Sequence, residues 1–234
     1  MFFETTLYQG RLIKRYKRFL ADIELADGTL VTAHCANTGA MTGCAESGWQ
    51  VWLSLSNNPK RKLAYSWELV QSDVGHYIGI NTYRANELVA EALYNKLITE
   101  LKNYETIRRE VKLTHDNSRI DFMLSAPDLV DCFVEVKSVT LLQDQQGYFP
   151  DAVTQRGHKH LRALAELANQ GKRAVLLFCV QHNGISSVKI ADHIDPQYKH
   201  ELEHALSSGV EVLVYSANIS PEKILINQSL PFIL

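Results

Sequence analysis

The chain has 234 residues, of which 46% are hydrophobic and 21% charged, a composition typical of a globular protein with one large or two small domains. Its formal net charge of −2 excludes a general attraction to nucleic acid, so any such binding must depend on local patches. No apolar run approaches the roughly 18–20 residues of a membrane span, and residues 1–4 lack a signal-peptide pattern, so we expect a cytoplasmic protein that does not bind membranes.

The cysteines give no evidence of disulfides or of a metal site. Cys35, Cys44, Cys132 and Cys179 have no CxxC spacing, which is typical of reduced thiols in a cytoplasmic protein. His34 lies beside Cys35, but the spacing to Cys44 fits no common zinc motif, and a fourth ligand is missing. We therefore do not expect structural zinc.

Residues 7–82 alternate short β-prone segments with turn signals. Residues 20–25 and 30–33 flank an Asp27-Gly28 turn, and residues 49–55 and 64–70 alternate as two further strands. About five strands in this length predict a small barrel such as an OB-fold, which commonly binds oligonucleotides, although periodicity alone leaves a small sandwich open. We assign residues 1–82 to this first domain.

Two basic clusters in the first domain are candidate nucleic-acid contacts. Cations neutralise phosphates and aromatic faces stack on bases, as a non-specific DNA surface requires. Tyr16 and Phe19 are interleaved with the first cluster, whereas the second lies in a loop; solubilising surface charge is the alternative. The candidates are Arg11, Lys14, Arg15, Lys17 and Arg18, followed by Lys60, Arg61 and Lys62.

The hydrophobic period changes near residue 82, and residues 83–234 predict an α/β domain with a mixed central sheet. Helices are predicted over residues 84–102, 154–170 and 196–207. Strands are predicted near residues 110–113, 118–124, 133–137, 173–180 and 210–215. The third of these helices is followed by a last strand, so the element order is α-β-β-β-α-β-α-β.

The middle strands carry charged residues on a predicted hairpin. Glu135 and Lys137 are two residues apart and project from one face, which Asp121 can reach from the neighbouring strand. Two carboxylates are suitable ligands for Mg²⁺, and a lysine beside the ion can activate water or stabilise charge on a phosphate. The alternative is a solvated strand face with a weak ion pair.

Asp121, a gap of thirteen residues and Glu135-Val136-Lys137 resemble the PD-(D/E)XK nuclease motif, with Ile120 in place of the motif's proline. The predicted element order is similar to the core of that superfamily. The resemblance implies that Asp121 and Glu135 bind Mg²⁺ (or Mn²⁺) and that Lys137 serves the attacking water or the phosphate.

The same resemblance implies one further residue, on the helix that precedes the hairpin, and the start of the helix that follows the hairpin adds candidate nucleic-acid contacts. On the first helix an acidic residue completes the catalytic and metal-binding set, and Glu91 is preferred to Glu87 on the helical face. Arg156, Lys159 and His160 begin the second helix, whose start favours anions. They are candidate nucleic-acid contacts or, alternatively, ordinary surface residues.

Longer strings resemble the sugar fermentation stimulation protein A family over essentially the whole chain. This resemblance implies an N-terminal OB-like domain, a C-terminal nuclease-like domain, non-specific DNA binding and a link to the regulation of sugar, notably maltose, metabolism. The strings are Asn37-Thr38-Gly39-Ala40-Met41-Thr42-Gly43-Cys44, Ser118-Arg119-Ile120-Asp121-Phe122, Glu135-Val136-Lys137-Ser138-Val139-Thr140-Leu141 and Phe149-Pro150-Asp151-Ala152-Val153-Thr154, then Arg156-Gly157 and Lys159-His160-Leu161.

Three functions from different classes stay open at this point. The leading hypothesis is a DNA-binding, Mg²⁺-dependent deoxyribonuclease; the others are a non-enzymatic DNA-binding regulator and an OB module for RNA or a small metabolite. Asp121 and Glu135 favour the enzyme, because two carboxylates facing a polyanion repel it unless a cation lies between them. Strandedness of the DNA and assembly into a homo-oligomer are left open.

Overall fold

The computed structural model describes residues 1–113 and 119–234. Ser118, which belongs to a predicted motif strand, lies outside the described residues. Within those two ranges, no helix is long and apolar enough to cross a membrane.

The N-terminal strands form a closed barrel. They are β1 (Tyr8–Tyr16), β2 (Leu20–Leu25), β3 (Leu30–His34), β4 (Gln50–Leu55), β5 (Tyr65–Gln71) and β6 (Tyr77–Gly79). Their order is β3-β2-β1-β4-β5-β6, and an additional parallel pairing of β3 with β5 closes five of the strands into a barrel. Alternate residues point inward, so that Leu12, Ile23, Leu53 and Trp67 fill the core. The barrel prediction is therefore confirmed, and a sandwich is excluded.

The rest of the chain forms an α/β domain around a mixed sheet. Its central sheet has the order β15-β14-β12-β9-β8-β7, in which β9, β12 and β14 are parallel and the others antiparallel; a small sheet, β10-β11-β13-β16, lies beside it. The elements are α1 (Tyr83–Tyr94), β7 (Thr106–Lys112), β8 (Arg119–Ala126), β9 (Leu129–Val139), β10 (Leu141–Gln143), β11 (Gln146–Phe149), α2 (Gln155–Asn169), β12 (Arg173–Val180), β13 (Ser187–Ile190), α3 (Pro196–Ser207), β14 (Glu211–Ile219), β15 (Ile224–Ser229) and β16 (Phe232–Ile233).

Helices cover both faces of the central sheet. Leu88 of α1 packs in one core with Val134, whereas Leu161 of α2 and Tyr198 of α3 pack in a second core with Phe178. Because the two sides of β9 face different helices, polar residues on β8 and β9 lie within reach of both α1 and α2. This layering positions the candidate site.

The first helix is shorter than its hydrophobic pattern predicts. It ends at Tyr94, and Lys96 takes a φ of 56°. The Leu97 amide donates to the Ala92 carbonyl at 2.9 Å, the six-to-one bond of a Schellman motif. Leu101, which extended the helical spacing, is buried after the turn. The pattern therefore reflected core contacts made beyond the end of the helix.

Candidate functional site

A cleft of about 710 Å³ lies between the barrel and the α/β domain. Asp121, Glu135 and Lys137 line it on the α/β side, whereas Asn37 and Gly39 line it from the barrel. The three charged residues predicted from the sequence are thus brought together at the junction of the domains.

The barrel wall of the cleft is fixed to the α/β domain. The Met41 amide donates to Asp151 Oδ2 at 3.2 Å, and the Cys44 thiol donates to the Thr140 carbonyl at 3.7 Å. A Cβ on Gly39 would overlap the Asp151 carboxylate, so a larger residue would displace the group that accepts the Met41 amide. These contacts explain why small residues are needed in the loop that contains residues 37–44.

Asp121 lies where the pairing of β8 with β7 is distorted. The strands are in register at Ile120 and at Phe122, but Glu110, on β7 between those pairs, takes a φ of 52°. Positive φ is rare for residues other than glycine and concentrates at functional sites. The half-buried Asp121 accepts the Val136 amide on Oδ2 at 2.7 Å.

Glu135 and Lys137 lie on one face of β9, as their spacing predicts. Lys137 Nζ donates to Glu135 Oε1 at 2.6 Å, and the glutamate side chain is only 2% exposed. His160 of α2 also contacts Oε1 through Nδ1. Glu135 Oε2, by contrast, is buried and has no hydrogen-bond partner among the described residues.

His160 occupies a different place from the predicted nucleic-acid contact. It is 5% exposed, because α2 presses it against β9. Arg156 Nε donates to His160 Nε2 at 3.3 Å, so that nitrogen carries no proton and Nδ1 donates to Glu135. His160 therefore orients the glutamate from the α2 side and is too buried to be a surface contact.

The two carboxylates have opposite electrostatic surroundings. Burial alone would raise the pKa of Glu135, but Lys137 and His160 together lower it below the usual value. Burial, and then the negative charge of Glu135, raise the pKa of Asp121, against the opposing hydrogen bond from Val136. A cation between the carboxylates would relieve this repulsion.

The donor set fits a hard divalent cation held mainly by water and substrate. The partnerless Oε2 of Glu135 and the carboxylate of Asp121 are oxygen ligands of the kind that Mg²⁺ uses. Among residues 1–113 and 119–234, no group of three or more His, Cys, Asp or Glu side chains is arranged to hold a metal. Mg²⁺ commonly takes one or two protein carboxylates, so two suffice.

The structure does not bring Glu91 to this cluster. Its carboxylate pairs with the Met1 nitrogen, on a part of α1 away from the cleft. Where an acidic residue of α1 was expected, the structure has Asn86, which faces β8 and donates from Nδ2 to Asp121 Oδ1 at 2.7 Å. Glu87 lines the cleft but is paired with Arg84, 2.8 Å away.

Several of the predicted basic contacts bind the protein itself. Arg15 donates from Nη2 to the carbonyl oxygens of Asn37 and Gly39, at 2.9 and 3.0 Å, and so supports the loop that lines the cleft. Surface pairing also accounts for three others: Arg11 donates to the Gly48 carbonyl, Lys14 lies 3.6 Å from Asp22, and Arg61 donates to Ser66.

The other predicted basic residues face solvent. Of these, Arg18 and Arg156 line the cleft from opposite domains. The turn that carries Arg18 has positive φ at two successive residues, 48° at Lys17 and 63° at Arg18. The exposed set is Lys17, Arg18, Lys60, Lys62, Arg156 and Lys159.

A buried network behind the cleft was not found by sequence reasoning. Asp195, 1% exposed, accepts from the Thr154 amide at 2.9 Å and the Tyr198 amide at 3.0 Å, and contacts His158. It therefore links the starts of α2 and α3. Asp195-Pro196 before a helical pattern is an N-cap signal that could have indicated part of this role.

Replacing His160 by alanine is expected to weaken divalent-cation affinity about 10- to 100-fold, since residues that orient a metal ligand typically have effects of this size. Calorimetric titration with Ca²⁺ measures the change. His160→Asn is expected to restore part of the affinity by donating to Glu135, and His200→Ala, an exposed change on α3, should have no effect. Equal affinity in His160→Ala and the wild type would exclude the positioning role.

The two domains define a class of protein: an OB barrel followed by an α/β domain with the element order of the PD-(D/E)XK core. The comparisons identify the family. The sugar fermentation stimulation protein RE domain matches residues 83–223, and the N-terminal OB domain of the same family matches residues 13–80. The chain belongs to the sugar fermentation stimulation protein family.

Individual relatives agree with this assignment. The homolog from Pseudoalteromonas atlantica is 62% identical over 234 residues and covers both chains completely. The homolog from Shewanella frigidimarina is 56% identical over 229 residues, 98% of each chain. The structure of Pyrococcus furiosus SfsA in complex with Ca²⁺ has the same fold, with a TM-score of 0.90 and 24% identity over 100% of this chain and 98% of that one.

Proposed function

We propose that this protein is a DNA-binding, Mg²⁺-dependent deoxyribonuclease whose domains are residues 1–82 and 83–234. The buried, partnerless Oε2 of Glu135 carries the proposal. A buried carboxylate oxygen without a donor is unfavourable unless a ligand binds there. Its neighbours, Asp121 and Lys137, are the groups that phosphodiester hydrolysis requires.

Each side chain has a distinct task in this reaction. Asp121 and Glu135 hold the cation, and a bound cation polarises the scissile phosphate and lowers the pKa of a bound water. Lys137 stabilises the negative charge that develops on the phosphate. Asn86 and His160 hold the two carboxylates in position, each from its own helix.

The surroundings of the cleft support DNA as the substrate. Arg18 and Arg156 lie on its two walls and neutralise backbone phosphates, which gives affinity without sequence specificity. The archaeal relative of the same fold was solved with Ca²⁺, a cation with the same preference for oxygen ligands as Mg²⁺. A role in sugar metabolism, as the family name suggests, would then act through DNA.

Incubation with labelled single- and double-stranded oligonucleotides tests the proposal. Cutting is expected with Mg²⁺ or Mn²⁺ and not with EDTA, and Glu135→Ala with Lys137→Ala should reduce the rate about 10³-fold or more. The matched control, Asp131→Ala with Lys172→Ala, removes another ion pair of β9 outside the cleft and should cut normally.

Two outcomes would count against the nuclease. Cutting that survives in the Glu135 and Lys137 double variant would mean that the activity lies elsewhere or in a contaminant. Binding without cutting of any substrate would favour the non-enzymatic regulator.

A further inference from the structure

We infer that the cleft binds a single unpaired DNA strand, and that a divalent cation is required for this binding. The inference rests on the proposed function and names the substrate class of the same site. It depends on three independent features of the cleft: its closed wall, an exposed aromatic ring at its edge, and its balance of charges.

The closed wall favours a single strand over a paired duplex. The barrel loop is hydrogen-bonded to the α/β domain through Met41 and Asp151, so the cleft is not open along that side. Its volume, about 710 Å³, is in the range of small-ligand pockets rather than of a duplex-binding face. Glu135 and Lys137 are 2% and 13% exposed, so a phosphate must enter the cleft to reach them. A single strand can bend into the cleft without first being separated from a partner strand.

The aromatic ring provides a stacking surface for a base. Tyr83, the first residue of α1, lines the cleft and is 72% exposed. An exposed tyrosine ring loses apolar burial, and a base stacked on it restores that burial. Stacking requires an unpaired base, because bases in a duplex already stack on their neighbours.

The charges explain why a cation is needed. Asp121 and Glu135 lie together on the α/β side of the cleft, where Lys137 pairs with Glu135, so their remaining negative charge repels a bare polyanion there. A divalent cation between Asp121 and Glu135 reverses the balance locally. The other carboxylates of the lining are Glu87, which is paired with Arg84, and Glu110 and Asp151, and the other cations are Arg18, Arg109 and Arg156.

Fluorescence anisotropy with a labelled oligo-dT strand and the same strand in a blunt duplex with oligo-dA tests the inference, in Ca²⁺ and in EDTA. Ca²⁺ is expected to increase affinity for the strand at least about 10-fold and to leave the duplex unchanged. The comparison isolates the cleft, because exposed basic residues bind DNA in either condition. Salt is kept constant throughout.

Two tyrosine variants provide a matched pair. Tyr83→Ala is expected to weaken Ca²⁺-dependent strand binding about 10- to 100-fold, and Tyr83→Trp should retain it. Tyr94→Ala removes another exposed tyrosine, at the far end of the same helix and outside the cleft, and should have no effect.

The outcomes separate this inference from the proposed function. Equal Ca²⁺-dependent binding of strand and duplex, or equal behaviour of Tyr83→Ala and Tyr94→Ala, would overturn the inference. Mg²⁺-dependent cutting of covalently closed duplex at the rate of a single strand would also overturn it, although the nuclease would stand. Tyr83-dependent strand binding without any cutting would support the inference and contradict the nuclease.

Discussion

Replacing Asp121 by asparagine is expected to abolish metal-dependent cleavage while making the protein more stable in EDTA. Burial and the nearby charge of Glu135 raise the pKa of Asp121, which means that its ionised form is unfavourable in the folded protein. Asparagine has nearly the same shape and no charge. It can still accept the Val136 amide, and Asn86 can rotate its amide to accept from the new one.

The two effects differ in size and are measured separately. The cleavage rate is expected to fall about 10³-fold, because a neutral amide is a poor ligand for Mg²⁺ and no longer balances its charge. The free energy of unfolding in EDTA is expected to rise by about 0.5–2 kcal/mol, because replacing a functional residue that destabilises the fold commonly gives a gain of this size. Thermal unfolding at pH 7 would show this as a Tm increase of about 2–4 °C per kcal/mol.

Adding Mg²⁺ should reverse the order of stabilities. The cation binds the folded wild type and not the unfolded chain, so it raises the wild-type Tm and leaves Asp121→Asn unchanged. The control is Asp128→Asn, an exposed position in the turn of the same hairpin, which should alter neither stability nor cleavage. A lower Tm for Asp121→Asn in EDTA would mean that the carboxylate stabilises the fold through its hydrogen bonds.

The features that the sequence predicted well are those that depend on neighbours along the chain. The spacing of Glu135 and Lys137 determines that both project from one face of a strand, whatever packs above them. The alternation of apolar and polar residues in the first domain specifies strands, and the apolar run at residues 173–180 specifies another. Once the first five strands have formed, the pairing of β3 with β5 closes the barrel. Pro196 marked the start of α3 correctly.

Residues that act through contacts distant in sequence were harder to place. A helical face allows both Glu91 and Glu87 as site residues, and only the rotation of α1 on the sheet shows that Asn86 meets Asp121. Arg15 belongs to a basic cluster in sequence, yet its guanidinium donates to four carbonyl oxygens of the folded loops. Hydrogen-bond partners such as these are created by tertiary packing and leave no local pattern.

The clustering of the three charged residues was therefore predicted, but the residues that support them were not. In the sequence His160 is grouped with the basic residues Arg156 and Lys159, and its position at a helix start suggested a phosphate contact. Burial against β9 changes its role to that of orienting Glu135. The same applies to Asp195, whose partners Thr154 and His158 lie about 40 residues away along the chain.

Replacing Asp195 by alanine is expected to lower the free energy of unfolding by about 3–5 kcal/mol, which corresponds to a Tm decrease of about 10 °C. The change leaves the half-buried Thr154 amide without an acceptor and the buried His158 without its partner, and the Tyr198 amide keeps only the Asp195 carbonyl. Burial would raise the pKa of Asp195, but the Thr154 and Tyr198 amides and His158 together lower it below its usual value. The carboxylate is therefore ionised at neutral pH, and the full loss of stability is expected there. Denaturant unfolding at pH 7 measures the effect.

Asp192→Ala is the matched control. Asp192 lies only three residues before Asp195, but it forms an exposed ion pair, with Lys199. We expect a change within about 0.5 kcal/mol for it. The Asp195 variant should also cut DNA more slowly at temperatures where it is fully folded, since Thr154 caps α2 and α2 carries Arg156 and His160. Equal stability of the two variants would show that Asp195 is not the link between the helices, and normal cutting by a destabilised Asp195→Ala would show that the start of α2 holds His160 without it.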